Sequence, residues 1–277
     1  MSRNNNYHYL FNTMKINYLM IATGLLGFGL GCFGQVTPSA REVMERSRDQ
    51  AKLSGLESKT TLEIFDGKGN KRVRETTMAS RLFSDGTEKR VIVFLAPADV
   101  KGTGMLIFDY PDKPDDMWIY LPTLRKSRKI VSTEKGKSFM GSEFSNADLA
   151  VGGIDDFTYQ FEGSEVMDGV DCWKIRMTPA NATIAAEEGG TGRITWVAKK
   201  DYMPRRTEFL DKSGKVYKEL IFGGIKLMDP KGGKYFVTHM VARNLKSGRY
   251  SIMNMDQVAF NPSVKEEYLT LSFLENQ

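Results

Sequence analysis

Few side chains in this sequence could carry out bond-making chemistry, and their spacing gives them little to work with. A thiol beside an imidazole would make a nucleophile pair, and Cys172 and His239 are the candidates. Cys172 stands between Asp171 and Trp173 inside a strand pattern, where a small buried side chain is the usual role. His239 lies mid-strand between Val237 and Val241. Metal binding needs several convergent ligands, and one histidine supplies too few. The acidic pairs Asp115-Asp116 and Asp155-Asp156 fit turns better than calcium loops. Gly102-Thr103-Gly104 lacks the third glycine of a dinucleotide loop and runs into a strand, not a helix. No Gly-x-Ser-x-Gly elbow and no phosphate-cradling Gly-x4-Gly-Lys loop occurs. The expectation is a protein without catalytic residues, cofactor or metal.

The stretch from Trp118 to Leu149 offers a different chemistry, that of a surface that holds something amphipathic. Trp118 and Tyr120 share one face of a strand, with Met117, Ile119 and Leu121 on the other. Arg125, Lys126, Arg128 and Lys129 then place four positive charges within five residues. Such a cluster suits lipid phosphates or an acidic partner surface, or equally a solvated strand edge that deters aggregation. Phe139-Met140-Gly141 and Phe144 follow on a glycine-hinged loop that would serve as a lid or as a packed plug.

The elements that must position these residues are mainly strands. Short runs rich in β-branched and aromatic residues span 60–66, 71–83, 90–96, 105–110, 118–121, 128–131, 156–166, 170–178, 193–199, 205–210, 216–222, 234–245 and 250–260. Turn signals such as Asp66-Gly67, Asp85-Gly86 and Met167-Asp168-Gly169 separate them, a pattern that predicts an antiparallel meander. So many strands in one sheet must curl strongly or close. Before them, Ser39 and Glu42 are spaced as a capping box. Ala40, Val43, Met44, Ser47 and Ala51 fall on one face of the helix that follows. Further helical turns are expected at Ser145–Leu149, with a second capping-box spacing, and at Ser263–Tyr268. Helices of this kind would cover the concave apolar face of the curled sheet.

Residues 1–34 read as a secretory signal peptide: a basic start at Met14-Lys15, an apolar run from Tyr18 to Gly31, and small residues at Cys32 and Gly34. Met14 is the expected initiator, and the remaining domain spans 35–277. Cleavage at Gly34 is favoured over lipidation at Cys32, because Gly29 stands where a lipoprotein box has Leu. Without Arg3 and Lys15 the chain keeps 37 Lys+Arg against 34 Asp+Glu, a net charge near +3. That is too slight for a nucleic-acid binder. A single remaining cysteine cannot form an internal disulfide, so an ordinary core must hold the domain. It also keeps 12 methionines, whose flexible, polarizable side chains fill a β core or line an adaptable pocket.

The motifs Pro97-Ala98-Asp99-Val100-Lys101-Gly102-Thr103-Gly104-Met105, Asp116-Met117-Trp118-Ile119-Tyr120-Leu121-Pro122, Arg125–Ile130 and Ser138-Phe139-Met140-Gly141-Ser142-Glu143-Phe144 resemble the outer membrane lipoprotein-sorting protein family. These are LolA-like members of the LolA/LolB-like superfamily. The sequence departs from that pattern at Glu143, where Asp is usual. The resemblance implies a mainly β fold, a strongly curved antiparallel half-barrel with helices covering its concave apolar face. It further implies a periplasmic, monomeric carrier that shields the acyl chains of a lipoprotein or lipid between an inner-membrane transporter and an outer-membrane acceptor. The alternative is a non-carrier accessory or sensor subunit that docks to a membrane transporter. Expected groove-lining residues are Met105, Ile107, Trp118, Tyr120, Phe139, Met140, Phe144, Trp173 and Trp196. Arg125, Lys126, Arg128 and Lys129 are expected at the mouth or a docking surface.

Overall fold

In the computed structural model, which describes residues 37–150 and 152–276, thirteen antiparallel strands form one sheet. The first six are β1 (Gly55–Phe65), β2 (Lys71–Leu82), β3 (Glu88–Ala96), β4 (Gly104–Asp109), β5 (Asp116–Leu121) and β6 (Lys126–Lys129). The other seven are β7 (Phe157–Met167), β8 (Val170–Pro179), β9 (Gly192–Ala198), β10 (Pro204–Leu210), β11 (Val216–Asp229), β12 (Lys234–Asn244) and β13 (Tyr250–Phe260). The signal peptide, the initiator at Met14 and the choice at Cys32 lie outside the described residues.

The strand order is β6-β5-β4-β3-β2-β1-β13-β12-β11-β10-β9-β8-β7. Each strand therefore pairs with its sequence neighbour, except that β1 and β13 pair to join the two runs. Turn chemistry enforces the local pairings: Asp66 Oδ1 accepts from Lys68 N at 2.8 Å and from Asn70 N at 2.9 Å, closing the β1–β2 hairpin. The ends of the sheet, β6 and β7, do not pair with each other, so it is an open half-barrel as expected. The chain must cross from one edge to the other, and residues 130–156 make that passage.

Alternation along the strands divides the core into two faces. On the inner face Leu62, Ile64, Ile92, Phe94, Met105, Ile107, Phe209, Leu220 and Met253 join one buried cluster with Ile130, Phe139, Phe144 and Leu149 of the crossing segment. A second inner cluster unites Phe157, Ile175, Met177 and Val197 with Ala40 and Val43 of helix α1 (Ala40–Ala51). The α1 N-terminus has the expected capping box: Ser39 Oγ accepts from Glu42 N at 3.2 Å, and Glu42 Oε2 accepts from Ser39 N at 2.7 Å.

The outer face differs from expectation. Val91 and Leu106 pack there with Val264, Leu269 and Leu274. The helix foreseen at Ser263–Tyr268 is instead a 3₁₀ turn at Glu266–Leu269 followed by a short α-helix at Leu271–Glu275, and both cover the convex side. The reason is the chain path: β13 ends at Phe260, and the next residue, Asn261, lies beside Gly55, whose added Cβ would lie 2.0 Å from the Asn261 carbonyl oxygen. That close approach turns the tail over β2 and β3.

Two short helices had not been foreseen, α2 (Ser132–Lys135) and α3 (Ala182–Glu188). α3 carries its own signals, since Asn181 Oδ1 accepts from Ile184 N at 3.0 Å and Gly189 closes the helix in the left-handed region.

Candidate functional site

The crossing segment is built as a packed plug. Phe139 N donates to the Phe144 carbonyl at 2.7 Å, and Ser142 Oγ donates to the Phe139 carbonyl at 2.7 Å. Met140 and Gly141 both take positive φ (50° and 78°), which folds the hairpin back on itself. The Phe139 and Phe144 rings are thereby driven into the sheet, Phe139 lying 5.6 Å from the Phe94 ring. The Ser145 capping box forms as expected, with Asp148 N donating to Ser145 Oγ at 3.2 Å and Ser145 N to Asp148 Oδ2 at 2.7 Å.

Polar groups of the sheet fasten the plug. Glu143 N donates to Ser251 Oγ at 3.0 Å, and Arg249 Nε pairs with Glu143 Oε1 at 2.8 Å. Lys218 forms a buried ion pair with Asp148. Arg90 Nη1 donates to the Leu149 carbonyl at 2.5 Å while its Nη2 pairs with Glu88 at 2.7 Å.

Beside the plug and beneath α1 lies an apolar groove of about 340 Å³, within the range of small-molecule sites. Met44, Ala51 and Leu53 line it on one side, and Leu56, Leu62, Met78, Ile92, Phe222, Met240, Met253 and Met255 line its sheet wall. Seven methionines reach it in all, with Met177 and Met203 at the α1 end. Its polar edge includes Arg48 and Arg193. Tyr159, another lining residue, has its hydroxyl pushed up to about 12 by burial and donates to the Ile154 carbonyl at 2.7 Å. On the plug's other side a polar cavity of about 530 Å³ is bounded by α2, α3, Asp115, Asp156 and Lys218. Burial first, and then the neighbouring Asp109 carboxylate, raise the Asp115 carboxyl to about 7.

The nine expected lining residues separate. Phe139 lines the groove. Met105, Ile107, Met140 and Phe144 belong to the same inner cluster but pack around the plug rather than border the groove. Trp173 is on the inner face beside α1, its ring 5.2 Å from Tyr202. Trp118, Tyr120 and Trp196 are on the outer face, which corrects their expected facing. Register explains it: Trp118 pairs with Leu106, between Met105 and Ile107, so it must point away from them. Trp196 likewise pairs with Lys174, and its Nε1 donates to Glu165 at 2.9 Å outside the sheet.

The basic cluster sits on edge strand β6 and the turn before it. Lys129 pairs with Asp116 at 2.5 Å and Arg128 with Glu134 at 2.6 Å, while Arg125 and Lys126 point into solvent near Leu124, which is 67% exposed. Cys172 is buried on β8, and His239, on β12, shares its ring Nδ1 with Asn254 at 2.6 Å. Three strands separate the two, so they form no pair.

A methionine lining is anticipated by the composition, but the methionines expected in it, Met105 and Met140, are not those that form the wall. Its signal is the alternation Met253-Asn254-Met255 facing Met240, visible only once β12 and β13 are paired.

A family model described as "-like: Uncharacterized protein" matches residues 86–276. The chain belongs to that family. Among solved structures it is similar to a Vibrio parahaemolyticus domain named for outer membrane lipoprotein sorting, at 23% identity and a TM-score of 0.77, over 85% of this chain and 98% of that one. It is also similar to a DUF1329 family protein from Desulfovibrio piger, at 28% identity and a TM-score of 0.77, over 85% and 97% of the two chains. A LolA superfamily protein from Nitrosomonas europaea matches at 15% identity and a TM-score of 0.63, over 86% and 100%. The resemblance read from the motifs therefore holds, and the fold is the LolA-like open half-barrel. Among curated proteins none matches the chain. Among the described residues no helix is long and apolar enough to cross a membrane.

Proposed function

We propose that this protein is a periplasmic carrier that shelters the acyl chains of a lipid or lipoprotein in the groove under α1. The observation that carries this reading is the groove itself, about 340 Å³, walled by methionines and aliphatic side chains. Each CH₂ moved from water into such a lining gains roughly 0.8 kcal/mol, so an acyl chain prefers it strongly. Methionine adapts to chains of different length and branching. The cover over the groove is held by Ala40 and Val43 in the second inner cluster and, at its rim, by Arg41 to Asp155 at 2.6 Å and Arg46 to the Tyr202 hydroxyl at 2.9 Å. Such exposed contacts contribute little individually, so a partner that lifts α1 to release the cargo must offset chiefly the burial of Ala40 and Val43.

Uptake of the neutral fluorescent probe N-phenyl-1-naphthylamine tests the groove. Saturable binding lost in Phe222→Glu and Met253→Glu, but kept in Trp118→Glu on the outer face, is the expected pattern. Binding that ignores both groove substitutions would remove the basis of the reading.

A second reading, a non-carrier subunit that docks to a membrane transporter, draws on one observation: Leu124 stands exposed beside Arg125 and Lys126 at the free edge of the sheet. A pull-down of a membrane partner by a protein free of lipid, abolished by Leu124→Glu with Arg125→Glu, would favour it.

A further inference from the structure

Two of the charged residues that border the apolar groove are paired more loosely than the rest. Glu88 is matched by Arg90 at 2.7 Å, and Asp148 is matched by Lys218. Arg48 and Arg193 have only long ion-pair contacts. The Nε of each is buried and receives no hydrogen-bond acceptor. The nearest carboxylate to Arg48 Nε is Asp49 at 3.8 Å, on a side chain that is 60% exposed. Arg193 Nε forms an ion pair with the Glu188 carboxylate at 3.5 Å, longer than the usual N–H···O distance, and the Glu188 Oε2 is likewise buried without a hydrogen bond.

Arg193 is also held in place, its guanidinium 4.5 Å from the Phe157 ring centre and 5.7 Å from that of Phe209. Arg48, Arg193 and Tyr159 all border the groove. Buried guanidinium donors left unmade are costly, and a carboxylate or phosphate oxygen would satisfy them with charge-assisted bonds.

From this geometry we infer that the groove selects an amphiphile with an anionic polar end, a carboxylate or a phosphate, bound by Arg48 and Arg193 while its chain lies along the methionine wall. The inference rests on the acyl-groove reading and specifies its ligand class.

Competition against the bound neutral probe at neutral pH tests it, with dodecanoate, dodecyl phosphate, dodecanol and dodecylamine, each below its micelle concentration. The two anions should compete at least about tenfold more strongly than dodecanol, the gain expected of a charge-assisted hydrogen bond, and dodecylamine should be weakest. Comparing dodecanoate with dodecyl phosphate tells a fatty carboxylate from a phospholipid type of head. In Arg48→Met with Arg193→Met, the anions should fall to the level of dodecanol while dodecanol itself is unchanged, a result that also reports an intact groove. Equal competition by all four compounds overturns the anionic selection and leaves the groove reading standing, as does an anion preference that survives the double substitution. Failure of every compound to compete overturns both. The comparison of head groups on the unsubstituted protein stands even where the double variant does not fold.

Discussion

Asp115 is the carboxyl group most altered by its surroundings. Burial and the Asp109 carboxylate hold it near 7 from an ordinary 3.8, so between those values the folded protein keeps a proton that the unfolded chain releases. Folding is then favoured less as pH rises through that window, and the penalty is complete above about 7. Asp115→Asn removes the titration. It is expected to raise the melting temperature at pH values above that window and to change it little near pH 4; a shift equal at both ends would contradict the assignment. At this scale the sequence was only partly legible. Alternation correctly separated Trp118 and Tyr120 from Met117 and Ile119, but it cannot say which face is concave. That depends on the pairing of Leu106 with Trp118, a fact of register that no single strand contains.

Among the elements, the plug is fastened most deeply by the Lys218–Asp148 ion pair. Asp148 is 2% exposed and Lys218 is 10% exposed, so removing one partner strands a buried charge. Lys218→Met should cost about 3–5 kcal/mol, measured by urea unfolding. Lys218→Met combined with Asp148→Leu should be less destabilised than Lys218→Met alone, because it leaves no uncompensated carboxylate; an additive loss would deny the coupling. Elements with local signatures were readable in advance, as with the Ser39–Glu42 box of α1 and the Ser145–Asp148 box of the plug. Those fixed by distant contacts were not. The tail helix was assigned to the concave face because nothing near Ser263 reports the approach of Asn261 to Gly55. The start of β1 was missed for a related reason: Gly55–Lys59 lacks β-branched residues and becomes a strand by pairing with both β2 and β13.

For the molecule as a whole, one pairing decides the architecture. β1 and β13 join the two runs of strands, and the edges left at β6 and β7 keep the half-barrel open. The segment that travels between those edges takes the concave side, where Phe139, Phe144 and Leu149 pack as a plug, and the groove lies beside it under α1. The class of fold was legible because thirteen strands with hairpin turns have few other solutions. The location of the groove was not, since its wall draws on β1, β2, β3, β11, β12 and β13 together. The central claim is that this groove holds an acyl chain. Mass spectrometry of organic extracts from the protein purified from cells is the most direct test. A lipid bearing an acyl chain, recovered in near-stoichiometric amount and absent from Phe222→Glu protein that remains folded, is the predicted result. An extract with no lipid, or one whose lipid content is the same in Phe222→Glu, would contradict the account.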